Sequence, residues 1–171
     1  MFENMTLYTT SHVTLSVLAL SLGVLALYQL ANAVTKSKLV VAYWAMSALT
    51  TATGFGFPFV KFLPSHIIGV LSTLSLIAMA FSGYRLKSRL GSVAYVVSTS
   101  ITVYFLTFVA TAQVFTKIPA LNAHGPGIKG TPFIVVQTLV LAIFIGWTSM
   151  ILRAHRRRQA GPMLTIPTEI R

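Results

Sequence analysis

Five long apolar runs separated by short polar breaks dominate this sequence: His12–Val34, Leu39–Phe57, Ser65–Tyr84, Ser92–Thr116 and Pro132–Leu152. A helix needs about 20 apolar residues to cross a hydrocarbon core of roughly 30 Å. Runs of that length predict an all-α integral membrane bundle of five transmembrane helices. The second run is short and rich in Ser47, Thr50, Thr51, Thr53, Gly54 and Gly56. It could break before Gly54, so four spans plus a re-entrant segment is the alternative. Composition points the same way, because only 9% of residues are charged. A soluble domain carries about a quarter and needs them to cover its surface.

The breaks have recognisable chemistry. Thr35-Lys36-Ser37-Lys38 is a tight polar turn that makes the first two spans antiparallel neighbours. Pro58 and Pro64 bracket the second break, and Pro64 suits a first helical turn, where its missing N–H costs nothing. Arg85, Lys87 and Arg89 close the third span where the helix dipole is negative, followed by Gly91 as a breaker. Lys117 to Thr131 is the longest connection and has room to cover a ligand. Residues 1–152 form a single transmembrane helical domain, and 153–171, with Arg156, Arg157 and Arg158, form a basic cytoplasmic tail.

Lysine and arginine placement sets the orientation. With the N-terminus outside, the inner side receives Lys36, Lys38, Arg85, Lys87, Arg89, Arg153, Arg156, Arg157, Arg158 and Arg171, and the outer side only Lys61, Lys117 and Lys129. Cytoplasmic loops carry the excess of cations, so the topology reads N-out and C-in. The first eleven residues contain Glu3 and no cation, the wrong charge for a signal peptide despite Ala31-Asn32-Ala33 behind an apolar run. The first span is therefore expected to be retained.

The formal net charge of +11 does not indicate nucleic acid, because the cations lie between apolar runs instead of on one basic face. The only acids, Glu3 and Glu169, lie outside the apolar runs, and there is no cysteine. Paired-carboxylate chemistry, carboxylate metal cages and thiolate sites are thereby excluded for one copy of the chain. No nucleophile elbow, phosphate-cradling loop or zinc-protease helix motif occurs. His12, His66 and His124 share the outer side, where neutral imidazoles could bind copper or zinc, or where His66 with His12 or His124 could ligate a haem iron. The alternative for each is an interfacial or capping role.

Two small-residue faces predict close helix packing: Ala19, Gly23 and Ala26 on the first span, and Ser65, Gly69 and Thr73 on the third. The fourth span carries Ser98, Thr99, Ser100, Thr102, Tyr104, Thr107 and Thr111. Its Ser and Thr are expected to bond to carbonyls of the preceding turn, a polar pathway being the sharper alternative. Gln113 and Gln137, near the outer ends of spans four and five, are expected to pair across the hairpin, with Lys117 and Tyr104 in the same polar cluster.

The stretch Gly54-Phe-Gly-Phe-Pro-Phe-Val-Lys-Phe-Leu-Pro-Ser-His-Ile-Ile-Gly-Val-Leu-Ser72 resembles a family of small multi-pass bacterial membrane proteins of unknown function. So do Tyr104 to Leu121, with Gln113, Phe115, Lys117 and Pro119-Ala-Leu, and the Pro132-Phe133 to Gln137 start of the last span. Leu106 stands where such relatives would carry Asn. The resemblance implies a bacterial cytoplasmic (inner) membrane, and it groups His66, Gln113, Lys117 and Gln137 in one outer-face arrangement. With no catalytic constellation, the expected function is non-enzymatic: binding a lipid, a small apolar ligand or a partner subunit at the outer face. A haem or metal protein and a small uncoupled carrier are the alternatives. The expected partners are the lipid bilayer and a second copy or another membrane subunit, with no nucleic acid.

Overall fold

The computed structural model describes residues 2–32, 34–57, 64–122 and 127–159, which leaves Lys61, His124 and everything after Gln159 outside the described residues. Every regular element among them is helical: α1 (Phe2–Ala31), α2 (Lys38–Phe55), α3 (Pro64–Tyr84), α4 (Arg89–Lys117), a single turn α5 (Pro119–Asn122), and α6 (Thr131–Gln159), preceded by a 3-10 turn at Gly127–Lys129. Four helical stretches, Thr6–Ala31, His66–Tyr84, Arg89–Lys117 and Thr131–Arg157, are long and apolar enough to cross a membrane.

Two helices outrun the apolar runs that mark them. α1 begins ten residues before His12, since no Gly or Pro interrupts residues 2–11. Thr14 and Ser16 hydroxyls, in its next turns, return to the carbonyls of Thr10 and His12 at 2.9 and 2.7 Å. α6 runs past Leu152 to Gln159, because arginines are good helix formers and the next Gly is Gly161. The segment after Leu152 therefore starts as a continuation of the last helix.

The junctions are capped by serines. Ser37 accepts from the Val40 N–H at 3.2 Å and donates to the Gln29 side chain, so the end of α1 and the start of α2 share one cap. Ser88 caps α4 in the same way, accepting from the Gly91 N–H at 3.0 Å. α2 does not break before Gly54; its helix continues to Phe55 and closes with the Gly56 N–H on the Thr53 carbonyl at 3.1 Å. Its 18 residues reach about 27 Å at 1.5 Å per residue.

Successive long helices run antiparallel. α1 packs on α2, α2 on α3 and α3 on α4, while α4 also touches α1 and α6. α4 is thus the central helix, and α6 leans on α4 and α1 from outside. The largest buried cluster, with Leu27, Leu30, Tyr43, Met79, Val96, Val103 and Ile151, ties α1, α2, α3, α4 and α6 together. The small-residue face of α1 lies in this junction: Ala19 and Ala26 are fully buried, and a side chain on Gly23 would press on the Tyr43 ring and Val103 at 2.9 Å. Gly69 of α3 likewise takes the Phe55 ring.

Polarity is reversed relative to a soluble bundle. On α2, Val41, Leu49 and Phe55 face outward, while Ser47 and Thr50 are buried. On α4, Ser92, Ser98, Thr99, Ser100 and Thr102 are buried, and α6 exposes Ile134, Leu139, Ile143, Ile145 and Met150. A water-soluble monomer does not leave such a belt exposed, whereas lipid solvates it. At one end of the bundle, Lys36, Lys38, Arg85, Lys87, Arg89, Arg153, Arg156 and Arg157 are all exposed. This basic end is built from the finish of α1, α3 and α6 and the start of α2 and α4.

Candidate functional site

The half of the bundle away from the basic end holds two polar arrangements on different helix pairs. The first joins α1 to α2. Tyr8 donates its hydroxyl to the Thr53 carbonyl at 2.5 Å, and His12 Nδ1 lies 2.8 Å from Thr53 Oγ1. Thr53 Oγ1 also lies 2.8 Å from the Leu49 carbonyl and 3.1 Å from that of Thr50, so the threonine joins the imidazole to the backbone of α2. Edge-on contacts of both rings with Phe57, at 5.0 and 5.2 Å, close the clasp. Gly56 passes directly against the Tyr8 hydroxyl, which a Cβ there would displace.

Below this clasp a hydroxyl seam continues into the bundle along one face of α2. Thr50, Ser47 and Tyr43 follow one another at helical spacing, all buried, and among the described residues none of their hydroxyls has a well-formed hydrogen bond. The Tyr43 hydroxyl faces Ser47 and Thr102 without a well-formed bond to either. An unpaired buried hydroxyl costs about 1–3 kcal/mol. Tyr43→Phe is therefore expected to raise the unfolding free energy by about 1 kcal/mol, read from denaturation in mixed micelles. A loss of stability would instead mean that the hydroxyl holds a buried water or ligand.

The second arrangement joins α4 to α6. The Gln137 amide donates to the Tyr104 hydroxyl at 3.2 Å, and its Oε1 is buried with no partner among the described residues. Phe108, Phe115 and Phe133 pack edge-to-face beside it, and Tyr104 meets Phe144 at 5.7 Å. From Tyr104 a groove of about 250 Å3 runs between the helices, walled by Ile101, Leu141, Phe144 and Ile145, with Ser100 and Thr148 as its small polar groups. Gln137 thus pairs with Tyr104 and not with Gln113, which is exposed near the end of α4. Lys117 is exposed in the last turn of α4, where a cation complements the helix dipole.

The Ser and Thr hydroxyls of α4 mostly serve the helix itself. Ser98, Thr99, Ser100, Thr102, Thr107 and Thr111 each donate to a carbonyl four residues earlier, at 2.7–2.9 Å. Their donors are directed at their own backbone, the expected packing role.

Of the histidines, His12 sits in the α1–α2 clasp, His66 is half-buried in the first turn of α3, and His124 lies outside the described residues. Among the described residues no three His, Cys, Asp or Glu side chains gather as a metal site. Sequence reasoning passed over His155 at the opposite, basic end. It is buried, donates from Nε2 to the Leu30 carbonyl at 2.8 Å and meets the Ser92 hydroxyl through Nδ1 at 3.4 Å. A histidine inside an arginine run gave no signal of this role, because its partners are 125 and 63 residues away.

Fold and site together define a helical-bundle membrane protein whose polar groups are turned inward. The chain matches no family model, no curated protein and no solved structure. A bundle fold alone specifies no function.

Proposed function

We propose that this is a non-enzymatic, five-span protein of a bacterial cytoplasmic membrane, N-terminus outside, that binds a small, largely apolar ligand in the α4–α6 groove, which runs from the middle of the bundle toward the basic end. The fifth crossing is supported by α2, whose start is tied to Gln29 and whose end is tied to Tyr8 and His12, so it runs alongside α1. Its hydroxyls lower its hydropathy but face the interior. The orientation is supported by the eight exposed cations gathered at the basic end.

The observation that carries the binding reading is an apolar groove headed by the Tyr104 hydroxyl, which the buried Gln137 amide holds in place. A ligand with an apolar body and one hydrogen-bond donor complements it. The test compares dodecanol with dodecane, which lacks the donor, by their effect on thermal unfolding of the purified chain in detergent. Dodecanol is expected to stabilise the wild type more, and Tyr104→Phe to erase the difference. Equal effects of the two compounds on the wild type would overturn the reading.

The haem or metal alternative is separated by an absorption spectrum and elemental analysis of the purified protein. His12 is engaged in the Thr53 and Phe57 clasp, so no Soret band and no stoichiometric copper or zinc are expected. A Soret band lost in His12→Ala or His66→Ala would establish the alternative.

A further inference from the structure

At the basic end, an open-sided cavity of about 480 Å3 lies between the α1–α2 turn, the end of α3 and the start of α4. Its volume falls within the roughly 300–1,000 Å3 of small-molecule sites. Lys36 and Lys38 stand at its rim, and Val40, Val41, Gly83 and Leu86 form apolar walls. We infer that this cavity binds an anionic phospholipid, with the two lysines on the phosphodiester and an acyl chain along the apolar walls. This site is separate from the α4–α6 groove and does not depend on it.

Charge selects the occupant. The chain has two acidic residues, Glu3 in the first turn of α1, at the far end of that helix, and Glu169 beyond the described residues. No carboxylate within the described part of the basic end can neutralise Lys36 and Lys38, nor Arg85, Lys87 and Arg89 on the neighbouring turn. The counter-charge must come from outside the described residues. The N-termini of α2 and α4 both open at this end and add their positive dipole ends.

Depth selects a lipid over a free anion. Tyr84 and Leu90 beside the cavity are 88% and 83% exposed, and Val41 is 68% exposed. Such groups belong at the boundary of the hydrocarbon layer, where lysine stems lie along apolar surface and the ammonium reaches headgroups. Gly83 leaves the wall open: a Cβ there would meet the Tyr95 ring only at 3.5 Å, so a larger side chain can be accommodated and would project into the slot. The Tyr95 hydroxyl, bonded to the Thr35 carbonyl at 3.3 Å, fixes the turn that carries Lys36.

The full-length chain, purified in a neutral detergent, is titrated with palmitoyl-oleoyl phosphatidylglycerol, with the matching phosphatidylcholine and with inorganic phosphate, and bound lipid is counted by native mass spectrometry. At about 1 kcal/mol for each lysine near an anionic surface, phosphatidylglycerol should bind about 30-fold more tightly than phosphatidylcholine. Lys36→Gln with Lys38→Gln should abolish that preference, and Lys36→Gln alone should remove part of it. Gly83→Leu keeps both lysines and should weaken phosphatidylglycerol by obstructing the chain slot. Equal binding of the two lipids, or an unchanged preference in the double variant, overturns the inference. Displacement of phosphatidylglycerol by millimolar inorganic phosphate, with Gly83→Leu binding as wild type, would also overturn it in favour of a free-anion site.

Discussion

Gly91→Ala is expected to destabilise the bundle by about 2–3 kcal/mol, although Ala is the better helix former by about 1 kcal/mol. The reason lies in the α3–α4 turn. The Arg85 carbonyl accepts both the N–H and the hydroxyl of Ser88, each at 2.9 Å, and Ser88 in turn caps the Gly91 N–H. This folds the Arg85 peptide directly over Gly91, where a Cβ would collide with the carbonyl group and the Arg85 Cβ. A backbone carbonyl held by two hydrogen bonds cannot move aside like a side chain. Gly146→Ala is the control, because nothing lies within 4 Å of a Cβ placed there. It should be neutral or stabilising by up to about 1 kcal/mol. Equilibrium unfolding of both variants in mixed micelles measures the difference, and equal stabilities would refute the packing account.

His155→Ala should cost about 2–3 kcal/mol. The imidazole connects α6 to α1 through the Leu30 carbonyl and to α4 through Ser92. Leu30 sits in the last turn of α1, where carbonyls have no partner within the helix. Truncation leaves that carbonyl in a buried site beside Ile151 and removes a tether between three helices. His155→Gln retains an N–H donor and should recover part of the loss. Hydrogen exchange adds an independent readout: amides of α6 around Ile151–His155 should exchange faster in His155→Ala while those of α3 do not. Uniform exchange in both variants would show that the contact contributes little.

Several elements were legible from residues alone because their causes are local. Pro64 at a helix start and hydroxyls returning to the preceding turn follow from short-range geometry. The Gly23 face also follows, since close approach in lipid calls for small residues wherever helices meet. Other features depended on partners distant in the chain. Gln137 reaches Tyr104 instead of Gln113, because α4 and α6 present those residues to each other. His12 serves the α1–α2 clasp because Thr53 and Phe57 end α2 beside it.

Residue chemistry alone sets the solvent this protein is built for. Apolar runs long enough to span a bilayer, with cations confined to the breaks and acids almost absent, admit a helical membrane bundle and little else. Tertiary structure decided which face of each helix turns inward. That choice buried the Tyr43, Ser47 and Thr50 hydroxyls and Gln137 Oε1 without hydrogen-bond partners among the described residues. It also placed Lys36 and Lys38 at the rim of an apolar cavity. The physical reason is that hydropathy is a property of the residues, whereas facing and hydrogen-bond pairing are properties of helix rotation and contact.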